Sequence, residues 1–295
     1  MDSAKRIFAL GFFDGVHLGH QALLRECVAL AEKMGTQTAA ITFEAHPKSL
    51  FSAPTPLIST IQDRKRLLRQ YGINHIYTFP VTAEVMGMPW MDFLEELMEF
   101  GAAGFVCGHD FRFGHFGAGN AEKLRQFCAQ RNLPCIIVPE QSIGGIRISS
   151  TYIRKQLEEG DMATAVRFLG HPYELTGTVV HGHRIGRTLG IPTANLLLPE
   201  NLVIPKFGVY ICKAVIDGIG YPAVTNIGTR PTVSGSGITV EPWILDFEGD
   251  LYDRQITLQF FRFLRPEMKF PDLAALQREI HSNAAQTRAY FEEIL

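Results

Sequence analysis

A strand-like run, Ile7 to Leu10, leads into Gly11-Phe12-Phe13-Asp14-Gly15-Val16-His17-Leu18-Gly19-His20, and a helical pattern begins directly after. His17-x-Gly-His20 thus falls at a helix N-terminus, where exposed backbone N–H groups and the helix dipole favour a phosphate. Gly19 lets the backbone approach closely, and two imidazoles can donate hydrogen bonds to phosphoryl oxygens. Donors that strengthen as charge builds on a transferring phosphorus are what nucleotidyl transfer needs, with no covalent nucleophile. Two isolated histidines beside a turn would mean little; a strand before and a helix after make the spacing specific. A second element is Ser149-Ser150-Thr151-Tyr152-Ile153-Arg154. Hydroxyls at a helix start with a cation one turn later suit the far side of a triphosphate. Alone they would be a plain cap and a solvated arginine. A third, Gly108-His109-Asp110-Phe111-Arg112-Phe113-Gly114, interleaves aromatics with a carboxylate and a cation that can stack on and bond a planar heterocycle. The alternative is a buried loop with Phe anchors. Thr42-Phe43-Glu44-Ala45-His46-Pro47 ends another strand on the same rim, with His46 read as structural.

In the second half, Gly182-His-Arg184-Ile-Gly186-Arg187-Thr188-Leu-Gly190-Ile-Pro-Thr193-Ala-Asn195 lacks the four-residue glycine spacing and Gly-Lys-Ser/Thr of a Walker A loop. Its glycines and arginines nevertheless make a flexible, cationic phosphate cover, or else a glycine-rich hairpin. Thr193 and Asn195 supply oxygens for a hard ion such as Mg2+. Glu241 shares a strand face with Trp243, Leu245 and Phe247, which points it toward the apolar side. A lone carboxylate there is costly unless paired or functional, and it suits a general base taking a proton from a hydroxyl. A bulge at Pro242 would instead turn Glu241 to solvent.

These residues need two different scaffolds. The chain has 295 residues, 46% hydrophobic and 20% charged, enough apolar material for two globular cores. With 28 Lys plus Arg against 30 Asp plus Glu, no diffuse positive field exists to hold nucleic acid or an anionic membrane. Small molecules are the expected partners. Five cysteines without Cys-x-x-Cys spacing argue against a disulfide framework or structural zinc and for a reducing cytoplasm. Lys5 and Arg6 precede an apolar run that stops at Asp14 without a cleavage site, and Lys213 and Asp217 break the longest later apolar stretch, so neither a signal peptide nor a membrane span is expected. Up to Val138, short apolar runs alternate with helical patterns. Asp63 is placed as a helix cap and Pro89 as a first helical residue. The alternation predicts a doubly wound parallel sheet with crossover helices. Two short helical stretches follow Ser149. After Gly170-His171-Pro172 the pattern becomes period two, as an antiparallel barrel or sandwich requires, and it turns helical again from Asp272. The domain boundary is placed at 170, giving domains 1–170 and 171–295.

From Gly11 to about Phe270 the chain resembles the bacterial bifunctional riboflavin kinase/FMN adenylyltransferases, or FAD synthetases. The resemblance rests on an ordered set of motifs: Phe13-Asp-Gly-Val-His-Leu-Gly-His20, Thr42 to Pro47, Gly108 to Gly114, Ile148 to Arg154, Gly190 to Asn195, Gly228-Thr-Arg-Pro-Thr232, Glu241 with Leu245-Asp-Phe247, and Leu264-Arg265 with Lys269-Phe270. It implies an N-terminal nucleotidyltransferase-like domain, then a six-stranded antiparallel β-barrel with a terminal helix. The barrel would phosphorylate riboflavin with ATP to FMN, with Glu241 as base and Thr193 and Asn195 as ligands of Mg2+ and ATP. The first domain would join FMN to a second ATP, giving FAD and pyrophosphate, with His17, His20 and Arg154 as catalytic groups. Further ATP contacts are implied for Gly11, Phe13, Asp14, Gly19, Ser150, Thr151 and Gly186, and flavin contacts for Glu44, Pro47, Asp110, Phe111, Phe113 and Arg265. Three departures stand out. Phe12 replaces a smaller or polar residue, which should affect only packing. Ala45 stands for the usual Pro and loosens a rim loop. Asn283 stands where Asp is more usual, which bears on flavin contacts from the last helix. Single-activity nucleotidyltransferases, acting on pantetheine phosphate or nicotinamide mononucleotide, share His-x-Gly-His but leave the β-rich half unexplained. Class I aminoacyl-tRNA synthetases share it too, but this chain is short and without a basic surface. A flavin-binding regulator built on a decayed enzyme would have lost the charged positions first.

Overall fold

A computed structural model describes residues 4–50, 54–181, 190–232 and 235–294. The chain forms two compact units, Met1–Tyr152 and Ile153–Leu295. The first contains β1 (Arg6–Leu10), α1 (Leu18–Met34), β2 (Gln37–Phe43), α2 (Ile61–Gln70), β3 (His75–Phe79), α3 (Ala83–Gly87), α4 (Trp90–Glu99), β4 (Ala102–Gly108), the short β5 (Arg112–Phe113) and β6 (Gly119–Asn120), α5 (Ala121–Gln130) and β7 (Cys135–Val138). A hairpin, β8 (Ser142–Ile143) and β9 (Ile146–Arg147), follows.

Five strands form one parallel sheet in the order β3-β2-β1-β4-β7. Ile7 and Ala9 of β1 join the core built with Leu24, Cys27 and Leu68; Phe8 and Leu10 join the one built with Leu94, Leu97 and Phe127. Burial on both faces is why β1 reads as an unbroken apolar run. The doubly wound expectation is met, and β1 sits where the strand order reverses. The segments that follow β1, β2 and β4 therefore meet at the carboxyl edge, where such sheets bind ligands. Two caps differ from expectation. Thr60, not Asp63, caps α2, its hydroxyl accepting from the Asp63 N–H at 3.0 Å while donating to the Asp63 carboxylate at 2.6 Å. Pro89 is the residue before α4, with extended ψ of 143°, not its first turn.

Next come α6 (Ser150–Glu159) and α7 (Met162–Leu169), then β10 (Tyr173–Val180), β11 (Asn195–Leu197), β12 (Gly208–Ile216), β13 (Ile219–Thr232), β14 (Gly235–Ile244), β15 (Gln255–Arg265) and α8 (Leu273–Ile294). Although it precedes residue 170, α7 packs on β10 and β15. The sheet is antiparallel in the order β11-β10-β15-β12-β13-β14. Its ends are drawn together by the Ala194 N–H donating to the Pro242 carbonyl at 2.9 Å and by a bridge between Thr193 and Trp243. The result is a nearly closed six-stranded barrel with α8 packed on β13. Among the described residues no helix is long and apolar enough to cross a membrane.

Candidate active sites

The loop after β1 makes a tight left-handed turn, with Phe13 at φ 59° and Gly15 at φ 73°. It ends at His17, whose Nδ1 accepts the His20 N–H at 3.2 Å and so caps α1. A capping Nδ1 carries no proton, which puts the proton of the neutral ring on Nε2 as a donor. The His17 and His20 rings stack at 3.6 Å and 10°. A Cβ on Gly19 would come within 3.2 Å of the His17 ring, so this glycine makes room for an imidazole rather than only for a ligand.

Burial first, then the neighbouring His17 and the Arg64 cation, hold the His20 imidazole well below its ordinary 6.5. Its Nδ1 is buried and has no hydrogen-bond partner among the described residues. The buried His20 ring is therefore held in its neutral form, with one ring N–H to donate. In the unfolded chain His20 takes up a proton near 6.5, whereas in the folded chain it stays neutral to lower pH. This contribution to stability is therefore complete above that pH and declines as pH falls below it. Denaturation midpoints followed from about pH 7.5 to about 5 should show a decline that His20→Phe flattens; an unchanged slope in the variant would overturn the assignment.

Asp14 and Arg64 hold this loop. The Asp14 carboxylate is 1% exposed and accepts from the Ile58 N–H at 3.0 Å and the Ser59 N–H at 3.1 Å. Arg64, 0% exposed, pairs with Asp14 at 3.7 Å and donates to Thr42 Oγ1 at 3.1 Å and the Phe43 carbonyl at 2.9 Å. Its guanidinium also lies 4.2 Å from the Phe12 ring centroid. Burial lowers its pKa, and Asp14 opposes that. The Asp14 side chain is thus committed to the protein and not aimed at a nucleotide. Arg64→Met would leave a buried carboxylate without its cation, at an expected cost of about 3–5 kcal/mol. Chemical denaturation of the single variants and of Asp14→Asn/Arg64→Met checks this; additive losses in the double variant would refute the coupling. Ser150 extends the framework, its hydroxyl donating to the Asp14 carbonyl at 3.1 Å, while Ser149 caps α6 by accepting the Tyr152 N–H at 3.2 Å. Thr151 is exposed at the start of α6, and Arg154 follows one turn beyond Ser150 in the second unit.

A cavity of about 570 Å3 lies at the carboxyl edge of the first sheet, lined by Gly11, Phe12, Phe43, His46, Pro47, Met86, Met88, Phe111, Phe113 and Phe116 among others. Phe111 and Phe113 stack at 5.4 Å and 18°, making a flat aromatic surface. Its size suits a small-molecule ligand.

In the second unit, the register of β13 with β14 runs unbroken through Pro242, with Asn226 opposite Glu241. No bulge turns Glu241 away. It lines a cavity of about 350 Å3 with Trp243, Asn226, Arg265 and Glu267. Thr193 lines this cavity and also a neighbouring one of about 120 Å3 walled by Phe247, Asp250 and Tyr252. Arg265 Nε lies 3.0 Å from Glu279 and donates to Asn283 Oδ1 at 3.1 Å, while the Asn283 amide donates to Glu279 at 2.9 Å. An ionised Asp at 283 could not make that donation. No cluster of three His, Cys, Asp or Glu able to hold a metal occurs among the described residues. Thr193 borders both cavities, so its hydroxyl is the oxygen there that a small hard cation carried on phosphates could reach, and Mg2+ takes few protein ligands.

The FAD synthetase family model matches residues 1–152 and the riboflavin kinase model residues 169–291. A bifunctional riboflavin kinase/FMN adenylyltransferase from Listeria monocytogenes is 33% identical over 98% of this chain and 93% of its own length. The chain belongs to this family. Proteins of the same name from Pseudomonas fluorescens and Escherichia coli K12 are each 33% identical, over 96% and 97% of this chain and 92% of their own lengths. A crystal structure titled as a macrolide-efflux protein from Streptococcus pneumoniae shares the fold at TM-score 0.89 and 29% identity, covering 98% of this chain and 95% of that one.

In this riboflavin kinase/FMN adenylyltransferase, the structure gathers Pro47, Phe111 and Phe113 at the first cavity and Thr193, Glu241 and Arg265 at the second. Glu44 is exposed and outside the lining, because β2 has ended and only its N–H is used, donating to the Phe79 carbonyl at 3.1 Å. Asp110 also lies outside it, paired with Arg147 of the hairpin. Asn195 is not in the lining of these two cavities, and its backbone pairs with Val180. Gly186, with Arg184 and Arg187, lies outside the described residues. The sequence reading gave no role to Arg64, which lies on α2. His46, read as structural, and Phe12, read as packing, both line the cavity with their rings edge to face at 5.1 Å.

Proposed function

We propose that riboflavin occupies the 350 Å3 cavity of the second unit and that Glu241 takes the proton of its ribityl 5′-hydroxyl. The freed oxygen attacks the γ-phosphorus of ATP, the bond to the β-phosphate oxygen breaks, and ADP leaves. The observation that carries this reading is a carboxylate held on the cavity side of an unbroken strand beside Thr193. Thr193 and Asn195 would hold Mg2+, which draws charge from the phosphoryl oxygens. Arg265, fixed by Glu279 and Asn283, would border the flavin.

The overall chemistry is that of the family: riboflavin and ATP give FMN, then FMN and a second ATP give FAD and pyrophosphate. In the first unit an oxygen of the FMN phosphate attacks the α-phosphorus of ATP, and the bond to the β-phosphate oxygen breaks. An ionised phosphate needs no base. His17 and His20 serve as neutral donors to the charge that grows on the oxygens, which suits their position at the α1 N-terminus. Asp14, Ser150 and Arg64 position them. Gly11, Phe13 and Gly19 shape the turn, and Thr151 would meet the phosphates. The aromatic cavity would take the isoalloxazine of FMN. Free thiols at all five cysteines fit a reducing cytoplasm, and with a net charge of -2 we assign neither nucleic acid nor membrane as partner.

The test is a chromatographic product assay with riboflavin, ATP and Mg2+. Sequential FMN and FAD are expected. FMN alone would overturn the adenylyl-transfer assignment, and flavin binding without either product would favour the regulator.

A further inference from the structure

We propose that Cys135 and Cys128 of the first unit form a peroxide-reactive pair, in which a hydroperoxide oxidises Cys135 and Cys128 closes a disulfide onto it. Three of the five cysteines lie on one face of the parallel sheet. The β4–β7 register sets Phe105 opposite Cys135 and Cys107 opposite Ile137, so Cys107 and Cys135 are diagonal neighbours on that face. Helix α5 covers the same face and adds Cys128.

Burial and hydrogen bonding give the three sulfurs different parts. Cys107 and Cys128 are 0% and 1% exposed, whereas Cys135, at the start of β7, is only partly buried. The Cys128 thiol donates to the Cys135 sulfur. That bond, helped by the Arg125 charge, draws the Cys135 thiol below its ordinary range against its partial burial. Donating the bond, and then burial, push Cys128 up, and burial pushes Cys107 up to about 12. The thiolate is the nucleophilic form. The least buried of the three sulfurs is thus also the most readily ionised, with a second thiol already against it. The turn between the two is held by the Arg131 and Leu133 N–H groups, which donate to the Cys128 carbonyl at 3.1 and 2.9 Å.

The Cys135 thiolate attacks one oxygen of the hydroperoxide. An S–O bond forms, the O–O bond breaks, and the displaced oxygen leaves as water or alcohol with the proton that Cys135 gave up. Cys135 is then a sulfenic acid. The Cys128 sulfur attacks it, the S–S bond forms, the S–O bond breaks, and water leaves with the Cys128 proton. Two thiols have given up two electrons and two protons, and the peroxide has taken them. A small dithiol reverses the outcome by exchange.

The test is a peptide map of the reduced whole chain after brief exposure to hydrogen peroxide. Trypsin cuts after Arg131, so Cys128 falls in residues 126–131 and Cys135 in residues 132–147. These two peptides are expected joined, two hydrogens lighter than their sum, and separate again after dithiothreitol. Thiol titration should show two of the five lost. Cys128→Ala should stop at the sulfenic acid, seen as a dimedone adduct on Cys135, and Cys135→Ser should keep all its remaining thiols. Riboflavin phosphorylation and FAD formation by the unoxidised variants should match the parent and report folding. If a variant does not fold, the parent's map still decides. Unlinked peptides, a link from Cys135 to the peptide holding Cys107, dimedone on Cys128 of the parent, or a link formed only in urea would overturn the proposal.

Discussion

Exchanging Glu241 for glutamine is expected to cut FMN formation by roughly 10²–10⁴-fold while FAD formation from supplied FMN continues undiminished. Glutamine matches the shape of glutamate and cannot take up the hydroxyl proton. The β13–β14 register that places the side chain is made by backbone bonds, so it survives the exchange. KM for riboflavin should hold, because the flavin would rest on other walls of the cavity. Glu241→Asp keeps the carboxylate but withdraws it by one methylene, and an intermediate loss is expected. Separate assays of the two reactions on one preparation decide the matter, since each activity is the folding control for the other. FMN formation within an order of magnitude of the parent would remove Glu241 from the base role.

The complementary result is expected at His17. His17→Asn replaces the ring by a side chain whose oxygen can still accept the His20 N–H, so the start of α1 is kept. FAD formation should nevertheless fall by about 10²–10³-fold in kcat, the usual consequence of losing one preorganised donor. Riboflavin phosphorylation should be untouched. His17→Ala loses the cap as well, at about 1 kcal/mol, so comparing the two variants separates helix stability from chemistry. Because the His17 and His20 rings are stacked at 3.6 Å, the double variant should lose less than the product of the single losses. Undiminished FAD formation in His17→Asn would mean that His17 is a cap and nothing more.

The parts of the sites that were legible in the sequence are those fixed by local periodicity. A strand, a glycine turn and a helix put His17 and His20 at the α1 N-terminus, and period-two alternation put Glu241 on the face of Trp243. The parts that were hidden depend on partners distant along the chain. Arg64 looks like one of several charges on α2; only the fold shows that its guanidinium is buried against Asp14, 50 residues earlier. Asp110 sits in a motif rich in aromatics, but its carboxylate is taken by Arg147 of the hairpin, which no spacing rule connects to it. Glu44 ends on the solvent side because β2 stops one residue before it, and strand ends are where alternation ceases to predict facing. The nearly closed barrel rests on Ala194 meeting Pro242, a contact across a segment whose composition says only that it turns.

Thr193 belongs to the walls of two cavities at once. For inhibitor design this makes it a junction. A flavin analogue seated in the larger cavity and extended past Thr193 would reach the wall that the smaller one shares with it. Tethering converts the second binding event into an intramolecular one, and a tether of matched length commonly raises avidity by about 10²–10⁴-fold over either fragment. A substitution in one cavity alone would remove only part of the affinity of such a compound, because the other half still holds. Resistance would be expected at residue 193 itself, where one bulkier side chain alters both walls at once.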